Sequence, residues 1–367
     1  MTKLFKQDGH VGVIETFGSM VMFIFLDIMM VYPRSVTAAA STAAWQVPIV
    51  TLFYTIPFFY VLDRLLSAHP GKSFLGVVRH FWGKGIGTGI GLLSFILLIS
   101  FVGYQVRVFG EFIITTILPN TPIAAIIIAL ILVMCALAYY GIETITRISW
   151  NVFPWIIVVY LSALALVIPF GNTYNLAPIW GNGILATMET GVLQIGTYKE
   201  IFMLGYIAPL FRQHRSFRQV GYGVLLFTTF LYVISEVSFI MVFPPPTSDR
   251  IGFPLYSLLR VISYGGLWQR LDPLFIFVWA TMTAIGLAAG LYFCALIFAQ
   301  TSRASDYRPY VFPLAVLLIS VAFIPRSALE AVRHYEVISN SVAVPFFVLP
   351  LLLWIWMKIT ALLRRNP

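Results

Sequence analysis

Residues 194–211 read QIGTYKEIFMLGYIAPLF, and the adjacent charges of Lys199 and Glu200 stand in an otherwise apolar and small-polar run. An ionisable group in such a run costs about 3 kcal/mol unless a partner or a ligand neutralises it. On a regular α-helix, sequence neighbours point about 100° apart, because 3.6 residues make a turn. Each charge then needs its own partner, or the helix is unwound there. Asp27, in SMVMFIFLDIMMVYPR (19–34), is the natural partner of Lys199. Glu200 is left for another cation, with Arg107 as a candidate, or carries a proton. Intramembrane ionisable residues face a bundle interior and mark ligand or ion paths. A salt bridge that locks helices is the structural alternative, and both roles can hold together.

Other groupings are weaker. In GYQVRVFGEF, Arg107 and Glu111 are four apart and share a helix face, which favours a local pair. Tyr104 lies three residues before Arg107 and is expected to face the same space. In GIETITR (141–147), Glu143 and Arg147 have the same spacing at a helix end and read as structural. Asp272 before Pro273 fits an N-cap followed by proline at the first helical position. Further along, Trp279, Thr281, Thr283 and Gly286 form an aromatic, hydroxyl and small-residue set; small residues allow close helix approach, and Thr283 is a candidate to line a midplane site. Met29, Tyr198 and Phe202 flank the central charges. The candidate ligand-binding or coupling set is therefore Asp27, Met29, Tyr104, Arg107, Tyr198, Lys199, Glu200, Phe202 and Thr283.

Signatures of catalysis are missing. There is no Walker A loop, GxGxxG fingerprint or HExxH. GKGIGTGIG (83–91) is glycine-rich, but it opens a hydrophobic helix and lacks the GK[ST] ending. The five histidines fall near segment ends without metal-ligand spacing, and Cys135 and Cys294 sit in apolar runs as small buried residues. No catalytic residue, metal or cofactor is expected, and the chain is not read as an enzyme.

The elements that hold these residues follow from composition. Of 367 residues, 60% are hydrophobic and 10% charged, against roughly 25% charged in a soluble domain. So few charges cannot cover a water-facing surface, so the chain is read as an all-α integral membrane protein. A bilayer core takes about 20 apolar residues per helix. Ten segments qualify: roughly 11–32, 43–63, 86–118, 121–141, 150–170, 184–211, 217–243, 273–300, 309–325 and 339–363. The third is long enough to tilt or to run past the bilayer. The first is too long for a cleavable signal peptide, and no soluble domain fits between segments. The net charge is +9, yet fifteen of the 23 lysines and arginines fall in regions placed inside, six outside, and Arg107 and Lys199 within helices. That bias is the positive-inside pattern with both termini cytoplasmic, rather than a nucleic-acid surface. The long connection near 244–272 holds FPLYSLLRVISY, whose apolar spacing predicts a short interfacial helix, packed on the bundle or serving as a lid.

Ten helices divide into five and five, and an odd number per half inverts the second half. The chain is read as one polytopic domain, with a first repeat over about 11–170 and a second over about 184–363. The first helix of each half is then expected to be discontinuous at the site. Asp27 and Pro33 disturb the first; Lys199, Glu200, Gly205 and Pro209 disturb the sixth.

RVFGEFIITTILPNTP (107–122), GIETITR (141–147), GTYKEIFMLGYIAPLF (196–211) and FPLYSLLRVISYGGLWQRLDPLFIFVW (253–279) occur in this order across nearly the whole chain. Together they resemble the B-subunit family of bacterial spore germinant receptors, within the amino acid–polyamine–organocation transporter superfamily. The resemblance implies a leucine-transporter-like fold of five plus five helices. It also implies residence in the spore inner membrane, binding of a small germinant such as an amino acid, and partnership with A and C subunits. In that superfamily the first-helix break is glycine-rich and exposes backbone to the ligand carboxylate. LDIMMVYP (26–33) has no glycine, and Asp27 repels a carboxylate and attracts an ammonium. Lys199 could supply the carboxylate contact instead. A proton-coupled amino acid permease of the same fold, and a structural subunit with locking charges, are the alternatives.

Overall fold

The computed structural model describes residues 9–30, 32–263 and 272–363, which form helices joined by turns, with no strand among them. The α-helices are α1 (Val13–Met30), α2 (Tyr32–Ala40), α3 (Val47–Ser67), α4 (Phe74–Thr116), α5 (Ile123–Tyr140) and α6 (Ile142–Val167) in the first half. The second half has α7 (Ile184–Leu193), α8 (Leu204–Ile207), α9 (His214–Val242), α10 (Pro254–Arg260), α11 (Asp272–Ser302), α12 (Arg308–Ala322) and α13 (Ala328–Leu363).

Eight helical runs among the described residues are long and apolar enough to cross a membrane. The expected ten differ from these at two places. Segment 309–325 is the apolar but 15-residue α12, and segment 184–211 is divided between α7, a 3-10 stretch and α8. The expected break of the first helix, within LDIMMVYP (26–33), spans residue 31, which lies outside the described residues; the chain is helical to Met30 and again from Tyr32. The tenth segment starts at Ala328 rather than 339, because its first turns are helical but polar.

α1 sits at the centre, buried along most of its length between α6, α9 and α11. α11 crosses behind it and also packs on α4. Two glycines make that seam close. A Cβ at Gly286 would lie 2.9 Å from Leu26 Cδ1, and one at Gly290 would lie 2.8 Å from Val102 Cγ2. Close approach of this kind is how helices associate where no hydrophobic drive operates. Large apolar side chains on α5 and α6, such as Leu132, Val133 and Trp155, point outward, as a lipid-facing surface requires.

The end of the bundle that carries the turns 68–73 and 303–307, with Arg64, Lys72, Arg79, Lys84, Arg303 and Arg308 in or beside them, is the basic end. Gly83 takes φ 82°, a conformation glycine adopts without cost, and breaks α4 into an arm, 74–82, and the long span 84–116. Arg79 on the arm donates to the last carbonyls of α11, Gln300 O at 2.7 Å and Thr301 O at 3.0 Å. Ser73 donates to Gln300 Oε1 at 3.0 Å, and Gln300 donates to Tyr206 O in α8 at 3.2 Å. At the opposite end α10 buries Leu255, Tyr256, Leu258 and Leu259. Phe112 joins it to the bundle, with ring centroids 5.5 Å from Tyr256 and 3.8 Å from Trp279. The expected short helix of the 244–272 connection is thus a packed cap over its described part; residues 264–271 and the Asp272 side chain lie outside the described residues.

Candidate functional site

Between α7 and α8 the chain winds as a 3-10 helix over Gln194–Met203, with Tyr198 off helical geometry at φ −108°, ψ 17°. Local sequence favours this. Gly196, Thr197 and Tyr198 are poor α-helix formers, and α13 presses on Gly196, where a Cβ would lie 3.2 Å from Asn340 Oδ1. The change of winding alters the direction of neighbouring side chains. Lys199 Nζ comes 2.9 Å from Glu200 Oε1, a contact a regular α-helix disfavours. The same ammonium lies 2.8 Å from Asp27 Oδ2 and 4.1 Å from the centroid of the Phe101 ring.

Asp27 is the hub. Its Oδ2 accepts from Lys199, and its Oδ1 accepts from Gln105 Nε2 at 3.1 Å and from the Tyr335 hydroxyl. Phe101 stacks on Tyr335 with centroids 5.8 Å apart, so the ammonium and the phenol share one ring. Glu200 is 1% exposed, and its close approach to Lys199 lacks hydrogen-bond geometry: neither carboxyl oxygen has a hydrogen-bond partner. The cluster holds two carboxyl groups for one ammonium in a setting where unpaired charge is expensive.

Asp27 also borders open space. A cavity of about 170 Å³ is lined by Asp27, Tyr32, Ser35, Gln194, Thr197, Tyr335, Glu336, Ser339 and Asn340. Ser35 and Glu336 are shared with a second cleft of about 500 Å³, which adds Arg34, Glu330 and Arg333. Together they run from the end of the bundle opposite the basic end down to Asp27. The walls come from α2, the 3-10 stretch and the first turns of α13.

The remaining candidates lie elsewhere. Arg107 is buried and engaged: its Nε is 2.8 Å from Glu111 Oε1, its Nη1 donates to Ala322 O at 3.1 Å, and it does not meet Glu200. Tyr104, one turn before, is half-buried against the His334 ring at 5.4 Å and does not line the cavity. The Tyr198 hydroxyl is 2.6 Å from Thr229 Oγ1. Phe202 packs its ring 4.4 Å from that of Phe347, and Met29 is buried in the core. Thr283 is fully buried, with no partner for its hydroxyl. Glu143 and Arg147 meet at 2.5 Å on the surface. Among the described residues no group of three or more His, Cys, Asp and Glu could hold a metal ion.

Gln105, Tyr335, Glu336, Ser339 and Asn340 do not stand out from sequence alone. The available signal was the polar pattern HYEVISN (334–340), where residues four apart share a helix face.

The sequence model of the family described as spore germination protein matches residues 10–331. Spore germination protein A2 of Bacillus subtilis (strain 168) is 24% identical over 347 residues, 92% of each chain. Spore germination protein KB of the same organism is 22% identical over 368 residues, 96% of each chain. In fold, the chain is similar to Mhp1, a nucleobase-cation-symport-1 family transporter solved in a closed conformation with bromovinylhydantoin bound. The TM-score is 0.69 at 14% identity, covering 90% of this chain and 75% of that one.

Proposed function

The chain belongs to the spore germination protein family, and we propose that it is the membrane subunit of a germinant receptor whose ligand binds in the cavity at Asp27. One observation carries this: a buried carboxylate, already held by Lys199, Gln105 and Tyr335, still faces open space. The cavity is small, which suits an amino acid or a molecule of similar size. An ammonium group entering it meets Asp27, where carboxyl groups outnumber ammonium groups. A carbonyl or carboxylate at the other end of the ligand meets the amides and hydroxyls of Gln194, Asn340, Ser35 and Ser339. Lys199 is engaged by two carboxylates and serves as counter-ion rather than as the carboxylate contact.

Triggering follows from the same geometry. Lys199 joins α1 to the 3-10 stretch, so a ligand that changes the surroundings of Asp27 also changes what holds residues 194–203. It shifts the conformational equilibrium only by its differential affinity for the two states. In this reading the chain crosses the spore inner membrane ten times, as repeats over about 11–170 and 184–363, with both termini cytoplasmic. It acts with the A and C subunits of the receptor. The alternative, a proton-coupled amino acid permease, is favoured by the partner-poor Glu200 oxygens and the transporter fold. Uptake into proteoliposomes driven by a proton gradient separates the two.

The test is the germinant dose response of spores in which Asp27→Asn replaces the native chain at matched membrane levels. Loss of a charge-assisted contact raises the half-maximal concentration about tenfold or more. A variant that assembles normally and responds like the native chain removes Asp27 from the ligand site.

A further inference from the structure

The walls of the Asp27 cavity are acidic. Among the described residues they carry two carboxyl groups, Asp27 and Glu336, and no lysine, arginine or histidine. The nearby cations are used elsewhere. Lys199 lies behind Asp27 with its side chain 1% exposed, held by Asp27 and Glu200. Arg34 and Arg333 line the outer cleft, where Glu330 and Glu336 match them in number. His334 turns its ring to Tyr104 and lies 3.8 Å from Glu330.

What the cavity offers to the far end of a ligand is neutral: the amides of Gln194 and Asn340 and the hydroxyls of Ser35, Thr197 and Ser339. Such groups both donate and accept, so they pair with a carbonyl, an amide or a hydroxyl. They leave the charge of a carboxylate unmatched, and Glu336 adds a like charge beside it, which opposes binding. A helix start can hold an anion on its free amides. Tyr32 opens α2 at this cavity, but the next residue, Pro33, has no N–H to give.

We propose that the cavity selects a small ammonium compound whose polar tail is uncharged, such as an α-amino acid amide, over the zwitterionic amino acid. The proposal rests on reading the Asp27 cavity as the ligand site, and it decides between the two far-end groups which that reading admits. The ammonium meets Asp27. The tail carbonyl accepts from the side-chain N–H groups of Gln194 or Asn340, and Glu336 repels a carboxylate that enters in its place. Selectivity then comes from what the walls reject as well as from what they hold.

The experiment measures thermal stabilisation of the full chain, reconstituted in lipid, by L-alanine and L-valine and by their α-amides. At about pH 6.5 both members of a pair carry an ammonium, since an α-amino group titrates at roughly 7.7–8.0. Each amide binds about tenfold or more tightly than its acid. Glu336→Gln raises the affinity of the acids more than that of the amides, so the preference narrows. An acid that binds as tightly as its amide overturns the proposal, and loss of that binding in Arg34→Gln would put its carboxylate at the outer arginine. Amides that give no stabilisation overturn it as well. Failure of the site reading looks different: amide binding then survives Asp27→Asn.

Discussion

Lys199 and Asp27, 172 residues apart in the chain, meet with Nζ 2.8 Å from Oδ2 and are both buried. The contact ties the C-terminal turn of α1 to the 3-10 stretch Gln194–Met203, so local winding and long-range pairing specify each other. Glu200 reaches the same ammonium only because of that winding.

Replacing Lys199 by methionine keeps most of the volume and leaves two carboxyl groups buried without their cation. Removing one member of a buried ion pair costs about 3–5 kcal/mol. Thermal unfolding of the purified chain should show a loss of that order, and Asp27→Asn in the same chain should recover part of it. Strictly additive effects of the two substitutions would mean the pair is uncoupled.

Tyr335→Phe removes a hydroxyl that donates to Asp27 and lines the cavity. A net loss of about 1–1.5 kcal/mol corresponds to a roughly tenfold higher half-maximal germinant concentration. Tyr104→Phe, on the His334 side and away from the cavity, should leave the dose response unchanged. Equal responses of the two variants would separate the cavity from germinant binding.

Gly221→Ala tests packing between α3 and α9. The added Cβ would lie 1.9 Å from Phe59 Cζ, and that ring is held by Phe217 at 5.7 Å and Tyr222 at 5.1 Å. Overpacking of this kind costs about 1–3 kcal/mol. The melting temperature should fall, and Phe59→Leu should restore part of it. An unchanged melting temperature in the single variant would show that the ring has room to move.

Asp63 is buried at the basic end of α3, and its carboxylate meets His214 Nε2 at 2.6 Å and Arg218 Nε at 3.0 Å, both at the start of α9. The partners are partly exposed, so solvent screening limits the pair to about 1–2 kcal/mol. Asp63→Asn should lower thermal stability by that amount and leave the half-maximal germinant concentration unchanged at matched protein levels. A shifted dose response would connect this end to ligand binding.

The bundle was legible because unbroken apolar runs and intramembrane charges are strong signals. The Asp27–Lys199 pair follows from the cost of leaving either charge alone. The cavity was less legible. Tyr335 and Gln105 are neutral, and the first turns of α13 carry so many polar residues that hydropathy places the helix start too late. The pairing of Lys199 with Glu200 needed the 3-10 winding, which depends on α13 pressing against Gly196 as well as on local propensity. Glu236 was missed, although a single glutamate in LYVISEVSFI is as conspicuous as Asp27 in its own run and the bundle buries it as fully.

The arm ahead of Gly83 bears on how the bundle can move. Its guanidinium grips two carbonyls at the tip of α11, and Gln300 passes the grip on to α8. Each charge-assisted bond of this kind contributes about 1.5–3 kcal/mol, so sliding α11 there breaks several at once. The opposite mouth has no comparable clasp between α2 and α13 among the described residues, only the polar walls of the two clefts. The basic end is therefore the more tightly held of the two, and a splaying of the far ends breaks fewer of these bonds than a sliding of α11.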